Sequence, residues 1–313
     1  MTTVQQDVQA SDSPMASRRR FFGKAATAAV AVPLMGAPLI AVAQAPIVFK
    51  MQGSWGTNEI FSEMAQQYVT RVNEMSGGRL KIEYLPAGAV VKPFEIIDAV
   101  SKGVLDGGHH VSGYWYGKNK SASLFGTGPV SGATPEIGLS WIQAGGGQQL
   151  WDKLVAKMNL NVVGFFSFPM PSQPLGWFKK SPPKKASDLK GFKYRTIGLA
   201  ADMLQEMGMA VAQLPGGEIV PAMQRGVIDA FEFNNPTADM RFGAQDVAKF
   251  YSMGSFHQAQ EFFEIIFNKD KYNALPADLK AILKYAAEAA STASTALAHE
   301  NYSKDLQELI VKH

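Results

Sequence analysis

Arg195 closes a predicted strand, Phe192–Thr196, just before Gly198 and a helix. At that edge a guanidinium offers a planar fork that matches a carboxylate with two charge-assisted hydrogen bonds, a geometry lysine lacks. Glu232 sits where strand alternation puts it on one face with Ile228 and Ala230. A carboxylate on an apolar face needs a cation or hydrogen-bond donors, and hard ions such as sodium or calcium suit its oxygens. Tyr114, Trp115 and Tyr116 form an aromatic run, and Trp55 follows the first predicted strand. Such residues at a cleft wall supply apolar area and hydroxyl handles, with Tyr114 and Tyr116 equally placed for the latter. The chemistry these residues suggest is capture of a small carboxylic acid.

Other chemistries are excluded or weak. The chain of 313 residues has no cysteine, so disulfides, thiolate zinc sites and cysteine nucleophiles are absent. His109-His110 point to opposite faces of a strand and cannot easily share an ion. Gly126-Thr127-Gly128 and Gly145-Gly146-Gly147 lack a phosphate-loop lysine. No Gly-x-Ser-x-Gly motif appears. A formal charge of +3 with 18% charged residues gives no reason to expect nucleic acid as a partner.

The elements that must hold these residues alternate strand and helix. Ile47–Met51 reads as a strand. Thr57 or Asn58 is expected to cap a helix with apolar positions from Ile60 to Met75, stopped by Gly77-Gly78, and Leu80–Leu85 alternates as a strand. That is a right-handed crossover onto a parallel sheet. Later, Val162–Phe168 reads as a buried strand, Leu199–Met207 as a helix and Met209–Leu214 as a strand. Pro221 is expected to begin a short helix. Two pieces share a pattern: Leu85-Pro86-Ala87-Gly88, helix, Gly103-Val104-Leu105-Asp106, and Leu214-Pro215-Gly216-Gly217, helix, Gly226-Val227-Ile228-Asp229. The simplest meaning is two similar α/β lobes with a cleft between the carboxyl ends of their strands. From Pro276 towards His313 the chain is rich in helix formers. One unbroken helix there would be roughly 50 Å long and would brace both lobes, with a break near Ser291-Thr292 as the alternative. The chain is expected to end inside that helix.

Ahead of the first strand, Arg18-Arg19-Arg20-Phe21-Phe22-Gly23-Lys24 precedes an uncharged stretch, Ala25–Ala43. A basic stretch, an apolar stretch and small residues spell a secretory signal, and the paired arginines resemble a twin-arginine one. Cleavage is expected after Ala43 rather than Ala45, because Pro46 would fit a peptidase poorly. Loss of Arg18, Arg19, Arg20 and Lys24 with Asp7 and Asp12 leaves 26 basic against 25 acidic residues. The remainder has no uncharged stretch of spanning length and is expected to be soluble and periplasmic.

From about Ile47 onward the chain resembles the solute-binding subunit of tripartite ATP-independent periplasmic (TRAP) transporters. The resemblance is carried by Leu85-Pro86-Ala87-Gly88 through Lys102-Gly103, and by Lys193-Tyr194-Arg195-Thr196 through Leu214-Pro215-Gly216-Gly217-Glu218-Ile219 to Glu232-Phe233. It implies a two-lobed periplasmic binding fold: lobe I over 44–169 with a return segment at about 258–285, lobe II over 170–257, and a lobe-spanning helix over 276–313. It also implies membrane transporter subunits as partners. The Leu-Pro-Gly-Gly-Glu block is most similar to members that bind 2-oxo or 2-hydroxy monocarboxylates, often with a bridging sodium or calcium ion. By that resemblance Arg195 clamps the acid, Glu232 ligates the metal and the next residue adds its backbone carbonyl. That residue is usually tryptophan and here is Phe233. Gln173, four residues before Trp177-Phe178, matches the family's metal-binding glutamine. Gln258 adds a further oxygen, and a tyrosine at 114 or 116 reaches the acid. Asn234-Asn235-Pro236 departs from this subgroup and is similar to the Glu-Asn-Pro pattern of dicarboxylate binders. A metal-assisted lyase or isomerase with Glu232 as base is the rival, but no acid–base partner for Glu232 has recognisable spacing. A receptor-docking sensory subunit would look the same in sequence. The expectation is therefore a transport protein and not an enzyme.

Overall fold

The computed structural model describes residues 45–129 and 133–313. The expected signal segment, 1–43, lies outside them.

The first half runs β1 (Ile47–Gly53), α1 (Ile60–Met75), β2 (Leu80–Leu85), α2 (Ile96–Ser101), β3 (Gly107–His110), α3 (Pro135–Ala144), α4 (Gly147–Lys157) and β4 (Val162–Met170). The second runs β5 (Gly176–Phe178), β6 (Lys193–Arg195), α5 (Gly198–Glu206), β7 (Ala210–Ala212), α6 (Gly216–Gln224), β8 (Ala230–Phe231), α7 (Pro236–Arg241), α8 (Ala244–Val247) and β9 (Phe250–Ser252). The chain closes with β10 (Glu261–Asn268), α9 (Lys269–Asn273) and α10 (Ala277–Lys312).

The strands make two five-stranded sheets, ordered β2-β1-β3-β10-β4 and β7-β6-β8-β5-β9. In each, the first three strands are parallel and the last two run antiparallel to their neighbours. The two sheets therefore have one plan, and the short Leu-Pro repeat is its trace. Gly103 and Gly226 hold equivalent left-handed positions, φ 75° and 71°. Each follows its helix (α2 or α6), exposes the next valine, and buries Leu105 or Ile228 beneath the sheet. Only glycine takes that backbone without penalty.

Helix α1 buries Ile60, Phe61, Met64, Tyr68 and Val72 as one stripe, which holds the β1–β2 crossover onto its sheet. Two expectations about helix starts need correction. Thr57 and Asn58 do not cap α1. Glu59 occupies the cap, and its side chain turns back to accept from the Gly56 N–H at 2.8 Å. Pro221 lies inside α6, which starts at Gly216 directly after Pro215. The Gly-Gly pair itself forms the first turn.

Two segments cross between the sheets, one from β4 to β5 and one from β9 to β10. They touch where the Gln173 N–H donates to the Gln258 carbonyl at 3.1 Å. Helix α10 is unbroken over 36 residues; Thr292 and Thr295 bond back to carbonyls one turn earlier instead of breaking it. It receives Tyr68 and Ser167 of the first lobe at Leu283 and Ala287, and its far end meets Trp177 and Tyr251 of the second lobe. Among the described residues no helix is long and apolar enough to cross a membrane.

Candidate ligand-binding site

Strand β6 ends at Arg195 and its parallel neighbour β8 ends one residue before Glu232. Both charges therefore sit at the carboxyl edge of the second sheet. Glu232 is not within a strand, as the alternation pattern predicts, but just past one, because β8 is only Ala230–Phe231. Arg195 Nη1 donates to Glu232 Oε1 at 2.9 Å and to its carbonyl at 2.8 Å, and Nε donates to the Leu214 carbonyl at 2.8 Å. Both side chains are 1% exposed. Among the described residues, Nη2 has no hydrogen-bond acceptor. The full fork predicted for a ligand carboxylate is thus partly spent on Glu232 and Leu214.

Arg195 lines a small, partly open cavity between the lobes, together with Trp55, Tyr114, Phe233, Asn234 and Glu261 among others. It has room for about one water molecule. Aromatic rings make its walls. Trp55 lies 6.1 Å from Tyr114, and the Arg195 guanidinium is 5.9 Å from the Phe233 ring centre. Tyr114 is buried and near enough to Arg195 to feel its charge, although burial dominates and raises its phenol. Tyr116 does not reach the cavity. It bonds Asp202 on α5 instead, which also receives Lys120 at 2.6 Å. Trp115 is committed to the core, donating to Glu264 at 2.9 Å.

Behind the cavity lies a layer of buried oxygen atoms. Glu261 accepts from Gln173 Nε2 at 2.7 Å, from Gln258 Nε2 at 3.2 Å and from Asn234 Nδ2. Gln173 Oε1, Gln258 Oε1 and Glu232 Oε2 are buried without a hydrogen-bond partner. Unpaired buried acceptors are costly and invite a donor or a cation. Burial raises Glu232, with Arg195 opposing; burial raises Glu261 strongly, and Glu232 adds to it. His257 is kept down at about 4 by burial and then by Arg195, so it stays neutral. Asp239 stands outside this layer. Trp177 Nε1 and the Asn234 N–H occupy its two oxygens at 2.9 and 3.1 Å. No group of three or more histidine, cysteine, aspartate or glutamate side chains suited to a metal occurs among the described residues. Here the donor set is two carboxylates with amide oxygens, which suits a hard ion.

The fold brings together Arg195, Glu232, Gln173, Gln258, Phe233, Trp55 and Tyr114. It adds Glu261 and Asn234, which the sequence reading passes over as site residues. Glu261 had one legible signal: it opens a run, Glu261–Asn268, rich in Phe and Ile, which the structure buries throughout. An acid on such a strand must be compensated.

The profile of the bacterial extracellular solute-binding protein family 7, DctP, matches residues 51–313. The chain belongs to that family. Its architecture, two mixed sheets with a long C-terminal helix, is the two-lobed fold of TRAP solute-binding proteins. Family 7 proteins are binding proteins of transporters, not enzymes. The chain is 35% identical over 238 residues, 76% of its length, to a monocarboxylate 2-oxoacid-binding periplasmic protein of Nostoc sp.. It spans 64% of that relative. Two solved structures of TRAP periplasmic solute-binding proteins are similar over most of the chain. One, from Pseudoalteromonas atlantica, holds sodium and pyruvate; it is 29% identical with a TM-score of 0.80, over 86% of this chain and 80% of that one. The other, from Colwellia psychrerythraea, holds calcium and pyruvate; it is 31% identical with a TM-score of 0.80, over the same shares.

Proposed function

We propose that this chain captures a small 2-oxo or 2-hydroxy monocarboxylate between its lobes in the periplasm and presents it to the membrane subunits of a TRAP transporter. The observation that carries this is a buried arginine, held by Glu232 and the Leu214 carbonyl, in the wall of an aromatic cavity. Lobe I is taken as 44–169 with a return at about 258–285, lobe II as 170–257, and 276–313 as the helix across both. Residues 1–43 are taken as an export signal.

In this reading Arg195 holds the acid's carboxylate, and Glu232 and Leu214 hold Arg195 in register. A buried guanidinium fixed by three acceptors loses little freedom when the acid arrives. Trp55, Tyr114 and Phe233 exclude water, which strengthens the charge-assisted contact. The orphaned oxygens of Gln173, Gln258 and Glu232 are fitted to hold a sodium or calcium ion, with the Phe233 carbonyl as a further ligand. Such an ion would neutralise charge beside the acid. Asn234-Asn235-Pro236 keeps dicarboxylates in the panel to be tested.

Calorimetry with pyruvate, lactate, longer 2-oxo acids and succinate tests the reading. Saturable 1:1 binding of the monocarboxylates is expected, and no heat across the panel would refute it. Arg195→Lys keeps the charge beside Glu232 but loses the fork, and should weaken pyruvate roughly 10- to 100-fold. Unchanged affinity would remove Arg195 from the site.

A further inference from the structure

Helix α5 begins without a cap of its own. Its cap position is Ile197, which lines the ligand cavity and has no side-chain oxygen to offer. The first turn of a helix still presents N–H groups that need acceptors. Gln213 Oε1, from the same lobe, accepts from the Gly198 N–H at 3.2 Å. The Leu199 N–H donates instead to Ser123 Oγ at 3.3 Å. Ser123 belongs to a short 3-10 segment, Lys120–Phe125, of the first lobe and is fully buried. A serine 76 positions away, on the opposite lobe, thus does the work of an N-cap.

The backbone on both sides is shaped for this approach. Gly198 is left-handed, with φ 64°, and a Cβ there would lie 2.5 Å from Ser123 Oγ. A Cβ on Gly113, of the first lobe, would meet Thr127 Oγ1 at 3.0 Å and Ile197 Cδ1 of the second lobe at 3.1 Å. Side chains at these two positions would hold the lobes apart, and glycine lets them meet. The seam lies next to the site. Arg195 stands three residues before Gly198, and Ile197 shares the cavity wall with it. Ser123 itself is not in that wall. It reaches the site through the strand-to-helix turn that carries Arg195.

We propose that Ser123 is a positioning residue for ligand retention: it caps α5 from the opposite lobe only when the lobes are closed, so the first turn of α5 is completed by closure around the acid. The inference rests on the lobe closure of the proposed function. With the lobes apart, the Leu199 N–H is left to water and α5 loses its cap. The closed form alone gains the bond, so its effect falls on release of the acid rather than on its entry.

The test compares wild type with Ser123→Ala, which removes one buried oxygen and adds no bulk. Stopped-flow tryptophan fluorescence with pyruvate should show release faster by roughly 3- to 10-fold in the variant, with the association rate nearly unchanged. The excess should persist at high salt, because a buried neutral bond is not screened. Thermal melts separate this role from a merely structural one. Without acid the two proteins should melt together, and saturating pyruvate should raise the wild type further than the variant. Equal release rates overturn the inference alone. So does a variant that melts equally far below wild type with and without acid, since Ser123 would then support the fold in every form. An excess that salt abolishes also overturns it, by assigning the effect to the exposed ion pairs. Failure of the wild type to bind pyruvate overturns the proposed function and this inference with it.

Discussion

Glu264 shows how much a single buried acid costs and what holds it. It is 1% exposed and accepts from Trp115 Nε1 at 2.9 Å and Trp151 Nε1 at 2.7 Å. His110 Nε2 lies 3.1 Å away without the alignment of a hydrogen bond. Burial raises Glu264 from 4.5 to about 7 against the pull of both indoles, and lowers His110 from 6.5 to about 3. The folded chain thus keeps a proton on Glu264 that the unfolded chain gives up. That contribution to stability is whole below about 4.5 and is lost as pH rises through about 7. His110 acts in the opposite sense: its contribution is whole above about 6.5 and lost as pH falls towards 3. The wild type therefore shows only part of either effect. Glu264→Gln removes the first alone. Relative to wild type, the variant should gain roughly 3 kcal/mol between pH 4.5 and 7, read by urea denaturation at several pH values. A constant gap would mean that Glu264 is ionised throughout. No motif marks Glu264 in the sequence, since its partners lie 113 and 149 residues away.

At the scale of elements, the paired glycines are the most legible feature. Gly103 and Gly226 each follow a short helix and lead, four residues on, into a strand, β3 or β8. A Cβ on Gly226 would meet nothing within 4 Å, and one on Gly103 only Asn268 Nδ2 at 3.8 Å. The cost of Gly→Ala at either is therefore backbone cost alone, about 1–2 kcal/mol. Urea midpoints of the two variants should fall by similar amounts. A neutral result at Gly226 would show that the turn adopts another conformation. The helix starts were misread for a local reason. Thr57 and Asn58 have capping side chains, but packing of Ile60 and Phe61 beneath β1 decides where α1 begins. At α6, proline inside the helix forfeits one hydrogen bond, a cost outweighed by burial of Ile219, Ala222 and Met223.

For the whole molecule, the lobes are held together by contacts that only the folded chain assembles. Tyr116 and Lys120 of the first lobe reach Asp202 on α5, and Glu63 on α1 pairs with Arg241 on α7 at 2.9 Å. These lie outside the cavity and are partly exposed, so each contributes little to folding. Because they join the two lobes, the proposed lobe closure predicts that they bias closed against open forms. On the proposed function, Asp202→Asn should leave the urea midpoint nearly unchanged and speed release of pyruvate by a few-fold. Stopped-flow tryptophan fluorescence measures this, since Trp55 lines the cavity. The faster release should also be less sensitive to salt, because the pair that salt screens is gone. An unchanged rate would show that Asp202 does not hold the lobes.

Local chemistry in the sequence determined the alternation of strand and helix, the repeated Leu-Pro and Gly-Val turns, and the placement of Arg195 at a strand end. Glycine, proline and hydrophobic period act over a few residues, so they can be read without a partner. The tertiary structure alone decided that Tyr114 and not Tyr116 meets the cavity, that Arg195 shares its fork with Glu232, and that Glu261 belongs to the site. Those outcomes depend on pairing across the two crossing segments, where Gln173, Asn234, Gln258 and Glu261 converge from up to 88 residues apart. Burial then made each unpaired oxygen there a demand for charge, and no local pattern carries that sum.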